Sequence, residues 1–364
     1  MAQMIQMELF DFFAQQEAVE IVREKPQAPV TAPVKEIVVL PPEPRNFLSD
    51  GKTVMPGAKA ERIEANLNAV RLVKAGRELD YVEKMALSRF SGWGGLTEVF
   101  LPENRHYSGL KELLNEEEYR TAQNSILDSF YTPESLIDFM WDIARNDLNV
   151  KTGRVAELGA GTGNFIGLAP MQSGYRFTAV EVDKISGGIL RVLYPEADVR
   201  IASLEKVKLG CDFDLVIGNV PFGQTGLHDR QYPNWNLHNY FIARALDCLK
   251  DGGHAVLLTS SATLDSNYAD ARKVFAQKAG LVKAYRLPKN SFAGTEIVAD
   301  ILVFQKDATA HPFVNLKLVP TGDDTGEMLI NEYFAGHPEN VRGILSNTGK
   351  MYGKIGTPTV LPNG

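Results

Sequence analysis

From residue 126 onwards the sequence reads as an α/β protein, a doubly wound and mainly parallel sheet of seven strands, preceded by a helical N-terminal extension. Three observations carry that reading. Seven short apolar runs, Arg154–Leu158, Arg176–Val182, Val199–Ala202, Phe213–Gly218, His254–Thr259, Val282–Leu287 and Asp300–Gln305, mostly alternate with helical stretches such as Asn236–Leu249 and Tyr268–Lys278. Parallel pairing needs crossover helices of this kind. The first run ends in a glycine-rich loop that opens into a helix, which lets backbone approach a ligand at the carboxyl edge of such a sheet. Upstream, Ile63, Leu67, Val70, Val73 and Ala75 keep roughly 3.6-residue spacing, and a second helix runs from Asp80 through Leu87.

The segments follow in order. Residues 1–59 read as a disordered tail and linker, because Pro26, Pro29, Pro33, Pro41, Pro42, Pro44 and Pro56 interrupt any helix among charges of both signs. Residues 60–125 form the helical extension, 126–310 the α/β domain and 311–364 a C-terminal extension. The second helix stops at Phe90-Ser91-Gly92-Trp93-Gly94-Gly95, where Trp93 either plugs a domain interface or lines a ligand surface. With 364 residues, 44% of them hydrophobic, the chain can bury a sizeable core. A net charge of −7 gives no global field towards nucleic acid. Cys211 and Cys248 have neither CxxC nor metal-ligand spacing, so two reduced cysteines of a cytoplasmic protein are expected, with no metal. No stretch approaches a membrane span, and Glu8 and Asp11 interrupt the apolar start, which lacks a basic n-region.

The strongest local signal is Val155-Ala-Glu157-Leu-Gly159-Ala-Gly161-Thr-Gly163. A dinucleotide fingerprint would need glycine at Asn164, which disfavours a dehydrogenase. Twenty residues beyond Gly161, at the end of the next run, Glu181 is placed to accept bonds from ribose hydroxyls. Together these point to an adenosine-containing cofactor without a pyrophosphate. The second signal, Asn219-Val220-Pro221-Phe222, directly follows the fourth run. The Asn219 side chain and the Val220 carbonyl can accept both hydrogens of a planar amino group, and Phe222 can stack on the ring that bears it. Pro221 holds Val220 extended, which aims its carbonyl.

These motifs resemble those of the S-adenosylmethionine-dependent amino-methyltransferases, whose fourth-strand motif is Asn/Asp-Pro-Pro-Tyr/Phe. Within them the chain resembles the DNA adenine-N6 methyltransferases whose methionine-binding motif precedes the glycine loop, here Phe130-Tyr131-Thr132-Pro133. Thr132 suits an N-cap and Pro133 the first helical position, so a helix N-terminus is expected to meet the cofactor's carboxylate. Asn290-Ser291-Phe292 resembles the motif whose phenylalanine packs on the second face of the extruded base. The runs FSGWGGL, NVPFG, LHNYFIARALDCLKDGG, LLTSSATLD, YRLPKNSFAGTE and NEYFAGHPENVRG look like the methyltransferase module of large phage and plasmid anti-restriction proteins, where it is fused to a helicase. Residues 50–355 carry this similarity, which implies a Rossmann-like methyltransferase sheet binding S-adenosylmethionine through Tyr131, Thr132, Glu157, Gly159, Gly161, Gly163, Glu181, Ser203 and Asn219. Two departures stand out. Val220 replaces the family's first proline, and the third run ends Ser203-Leu204-Glu205, where Ser203 or Glu205 must contact the cofactor's adenine.

The implied reaction is methylation of the N6 amino group of adenine in DNA. That group is buried in a duplex, so the base must flip out, stacking on Phe222 and Phe292. The methyl sulfonium is already activated, so positioning supplies most of the catalysis. Arg272, Lys273, Lys278, Lys283, Arg286 and Lys289 stand against one acidic residue, Asp270, within 270–290, which is either a solvated face or a phosphate-contact surface. His228, Arg230, Tyr232 and Trp235 offer a second surface, whereas His238 reads equally as a surface residue at a helix N-terminus or as a functional one and is assigned no role. Action on RNA or on protein glutamine is the nearest alternative, and a catalytically silent cofactor- and DNA-binding component is another. Only 58 residues follow Lys306, fewer than a typical target-recognition domain, so relaxed specificity is expected unless recognition lies downstream. A helicase module in cis or in trans is a further expected partner.

Gln6-Met7-Glu8-Leu9-Phe10 resembles the peptide by which bacterial proteins dock on the replicative sliding clamp, although such a cluster can also pack on its own domain. A peptide of residues 1–15 is expected to bind a purified clamp and to lose binding when Leu9 and Phe10 become alanine, as titration calorimetry would read.

Overall fold

The computed structural model describes residues 46–47, 58–126, 131–170, 174–223, 229–233, 235–292, 296–351 and 354–363. The Gln6–Phe10 motif, Phe130 and His228 lie outside them. Seven strands form one sheet in the order β3-β2-β1-β4-β5-β7-β6: β1 (Gly153–Leu158), β2 (Tyr175–Glu181), β3 (Asp198–Ile201), β4 (Phe213–Asn219), β5 (Leu249–Ser260), β6 (Gly280–Arg286) and β7 (Ala299–Gln305). All seven runs expected as strands are present. The strands β1 to β5 pair in parallel, while β7 lies antiparallel between β5 and β6.

The central strands are buried on both faces, which explains why they read as continuous apolar runs. Val155, Leu215, Ile217, Val256, Ile301 and Val303 enter one core with the N-terminal helices and with Trp141. Ala156, Val216, Leu257, Leu302 and Phe304 enter the other, with helix Leu237–Cys248, Phe275 and Phe313. Alternation of neighbouring residues between the two cores is the period-two geometry of a strand.

The N-terminal helices include Lys59–Lys74, Tyr81–Ser88 and Glu116–Asn124. The last two start with capping boxes, Asp80 with Glu83 and Asn115 with Glu118, each satisfying two otherwise orphaned N–H groups. Inside the stretch read as linker, Phe47 is buried and its N–H donates to the Leu193 carbonyl at 2.7 Å. That part of the linker is docked. One cap also differs: the helix after Tyr131 runs Glu134–Asp142 with Pro133 as its N-cap, and Thr132 makes no capping bond. Beyond residue 311 come two hairpins, β8 (Leu316–Pro320) with β9 (Glu327–Asn331), and β10 (Ile344–Met351) with β11 (Lys354–Leu361).

In the basic stretch 270–290 the fold buries both arginines and pairs the lysines with carboxylates. Arg272 is buried and its Nε donates to the Val314 carbonyl at 2.8 Å. Arg286 is buried too: Nε and Nη2 donate to the two oxygens of Asp300 at 2.9 and 2.8 Å, while Nη1 bonds Asp265. Lys273, Lys278, Lys283 and Lys289 each face a carboxylate, on Asp270, Asp247, Asp147 and Glu296 respectively. The +5 counted along the chain is cancelled mainly by carboxylates that the fold brings in from elsewhere.

Removing one partner of a buried ion pair strands the other. Arg286→Ala is therefore expected to lower stability by about 3–5 kcal/mol, read from urea unfolding midpoints. An unchanged midpoint would count against this account of the stretch.

Candidate functional site

The carboxyl ends of β1, β2 and β4 border a cavity of about 370 Å³, within the range of small-molecule sites. It lies at the topological switch point, where the chain leaves β1 towards β2 and leaves β4 towards β5. Its lining includes Tyr131, Thr132, Glu157, Gly159, Gly161, Glu181, Ser203, Asn219, Val220, Pro221 and Phe222.

The glycine loop is tied to β2 by bonds from the N–H groups of Gly159 and Ala160 to the Val180 carbonyl, both 2.9 Å. A Cβ on Gly159 would lie 3.5 Å from Pro221 Cδ and 3.3 Å from Phe241 Cε1, so the loop packs directly on the Asn219–Phe222 turn. That turn is anchored by Val220 N–H donating to the Leu258 carbonyl of β5 at 3.0 Å. The Gly161 N–H donates to Glu181 Oε2 at 2.7 Å, and Asp183 N–H to Oε1 at 2.8 Å. Tyr131 points its hydroxyl towards Thr162 and Ser186.

Two carboxylates dominate the electrostatics. Burial pushes Glu181 up from its ordinary 4.5 to about 7, against the pull of the Asp183 and Gly161 N–H groups. Burial raises Glu157 well above the usual range, and the charge of Glu181 adds to the shift. Glu157 Oε2 has no hydrogen-bond partner among the described residues. A ligand carrying hydroxyl donors or a cation would relieve both groups. S-Adenosylmethionine, with its ribose hydroxyls, ammonium and sulfonium, fits that donor and charge requirement.

Most residues expected to hold the cofactor and the amino group thus converge on one cavity, and Ser203 rather than Glu205 reaches its wall. Gly163 belongs to the same loop but does not line the cavity. Phe292 does not either: it is 3% exposed and belongs to the same hydrophobic core as Ile301 and Val303. His238 is buried, not a surface residue, and burial lowers its pKa to about 4. Trp93 is buried edge-to-face against Phe90 and Phe100 and also lines the cavity.

Sequence reasoning missed Thr121, Asn124 and Ser125, which line the cavity from the end of helix Glu116–Asn124. It also missed Asn66, although a signal was present: Asn66 interrupts the apolar stripe Ile63, Leu67, Val70 at helical spacing. Among the described residues no group of three His, Cys, Asp or Glu could hold a metal ion, and no helix is long and apolar enough to cross a membrane.

Residues 189–292 match the Eco57I restriction-modification methylase family. The chain is similar to "Defense against restriction protein B" of Escherichia phage P1, with 29% identity over 272 residues, 71% of this chain and 11% of that protein. It is also similar to the type II methyltransferase M.TthHB8I of Thermus thermophilus, with 28% identity over 207 residues, 51% of this chain and 46% of that enzyme. The match thus spans a small part of the first relative and just under half of the second. Among solved structures, the methyltransferase subunit of a type I restriction-modification system from Streptococcus thermophilus superposes with a TM-score of 0.45 and 15% identity, covering 62% of this chain and 54% of that one. The resemblance to restriction-modification methylases and to phage anti-restriction proteins, drawn from the motifs, is met by the sequence comparisons.

A carboxyl whose folded pKa stands above its ordinary value binds more protons folded than unfolded. Stability is then lost as pH rises from about 4.5 towards 7. Glu181→Gln removes that titration, so wild type is expected to lose on the order of 3 kcal/mol relative to the variant across this window. Urea midpoints measured at intervals from pH 4.5 to 7.5 would show it, and a constant difference would refute it.

Proposed function

We propose, from the match of residues 189–292 to the Eco57I restriction-modification methylase family, that the chain is a DNA methyltransferase modifying the N6 amino group of a flipped-out adenine. The observation that carries the reading is the packing of the Asn219-Val220-Pro221-Phe222 turn against the glycine loop, beside two buried carboxylates in one cavity.

The residues divide the work. Glu181, backed by the Gly161 and Asp183 N–H groups, would accept from the ribose hydroxyls, and the buried Glu157 would offset a cationic part of the cofactor. Tyr131 and Thr132 line the cavity and would hold the methionine part of the cofactor, and Ser203 reaches it from the end of β3. S-Adenosylmethionine, when bound, supplies a methyl group already activated on a sulfonium. An exocyclic adenine nitrogen is a weak nucleophile because its lone pair delocalises into the ring. Asn219 and the Val220 carbonyl, accepting its two hydrogens, draw it towards tetrahedral geometry and localise that pair. Phe222, half-buried at the cavity, offers the ring on which an extruded base stacks, worth about 1–3 kcal/mol per base in single-strand binders. Burial of Phe292 outside the cavity lining favours Phe222 for that stacking role. Preorganised acceptors and alignment supply the catalysis.

The likeness to a phage protein named for defence against restriction favours protective modification with relaxed sequence specificity. Transfer of tritiated methyl to DNA, offered beside RNA and protein, tests the substrate, and mapping of modified bases tests the specificity. Asn219→Ala is expected to reduce transfer to DNA by at least about 100-fold while S-adenosylhomocysteine binding, followed by calorimetry, stays within about threefold. Loss of both together would overturn the role given to Asn219.

A further inference from the structure

Arg62 and Asn66 stand one turn apart on helix Lys59–Lys74, and both reach the backbone or side chain of the Ser91–Gly95 turn. Asn66 Nδ2 donates to the Gly92 carbonyl at 2.7 Å, and its Oδ1 accepts from the Ser91 N–H at 2.8 Å. Arg62 Nε donates to Ser91 Oγ at 3.1 Å and Nη2 to the Gly94 carbonyl at 2.9 Å. From the other side, Gly95 N–H donates to the Ile126 carbonyl at 3.2 Å. Asn66 is wholly buried, and a buried amide is tolerated only when its bonds are made. Here both halves of the amide are spent on one turn.

The turn is held against Tyr131. Gly92 has φ +64°, and a Cβ there would come within 2.7 Å of Tyr131 Cε2. The same tyrosine meets the glycine loop, since a Cβ on Gly161 would lie 3.4 Å from its hydroxyl oxygen. The Gly161 N–H then bonds Glu181. A continuous contact runs from the helical extension through the turn and Tyr131 to the loop and carboxylate that border the cavity.

We propose that Arg62, Asn66 and Gly92 are positioning residues for an adenosyl cofactor: by setting how closely the turn approaches Tyr131, they set the place of the Gly161 loop and of Glu181. This rests on the cofactor reading above. The helical extension is then a working wall of the site and not only a neighbouring layer.

Two glycines of the turn separate positioning from folding. Gly95 also has positive φ, +70°, but a Cβ there meets nothing within 4 Å. Alanine at either position strains the backbone alike, and only G92A collides with Tyr131. The full chain is titrated with S-adenosylhomocysteine by calorimetry, with melting temperature measured in parallel. G92A is expected to weaken binding roughly tenfold or more, and R62A several-fold, while G95A stays within about twofold of wild type. With saturating DNA, G92A is expected to raise KM for the methyl donor more than it lowers kcat. Should G92A not fold, R62A carries the comparison with G95A. Equal affinities for wild type, G92A, R62A and G95A would overturn the positioning role alone. Wild type without measurable binding would overturn the cofactor reading and this inference with it.

Discussion

The site exists because the chain diverges at the centre of the sheet. After β1 it passes through Phe165 and Ile166 into the core on one face, whereas after β4 it passes into helix Leu237–Cys248 on the opposite face. No single connection can cover the gap between the two strand ends, so a crevice is unavoidable there. The polar groups at its edge follow from that geometry. The Asn219 turn, the glycine loop and the two carboxylates terminate strands whose interiors are apolar, and only their ends can carry chemistry without disrupting the sheet.

Burying two carboxylates at that crevice is costly. Glu157 and Glu181 are both buried, the charge of Glu181 raises the proton affinity of Glu157, and among the described residues neither forms a salt bridge with a cation. Elsewhere the same chain solves the problem of buried charge differently, surrounding Arg286 with Asp265 and Asp300. The contrast between a paired buried charge and an unpaired carboxylate couple separates a structural cluster from a binding site.

Much of this was legible in the sequence, and several of the misses share a cause. Strands buried on both faces write themselves as apolar runs, and glycine spacing with an acidic residue twenty positions on describes a local loop. Asn219 and Phe222 were legible because a strand end and its turn are one short segment. Several of the misreadings depend on distant partners. Arg272 and Arg286 looked like surface charge because Val314, Asp265 and Asp300 are remote along the chain. Phe292 looked available because nothing in its own short segment announces that it is buried in the core. Thr132 looked like a cap, yet the helix starts a residue later, with Pro133 at the boundary. Asn66 needed the turn at Ser91–Gly95, 25 or more residues away, to explain its place on an apolar stripe.

The C-terminal hairpins are stitched to the catalytic sheet by polar contacts at one end of β6. Arg286 lies over the Phe334 ring at 4.3 Å, its partner Asp265 accepts from the Asn331 N–H at 2.8 Å, and Lys289 N–H donates to the Val360 carbonyl at 2.8 Å. A recombination joint placed just after β7 would therefore strip the cover from a buried guanidinium while leaving every strand of the sheet intact. The packed unit therefore extends through β11, some fifty residues further than the sheet alone would suggest.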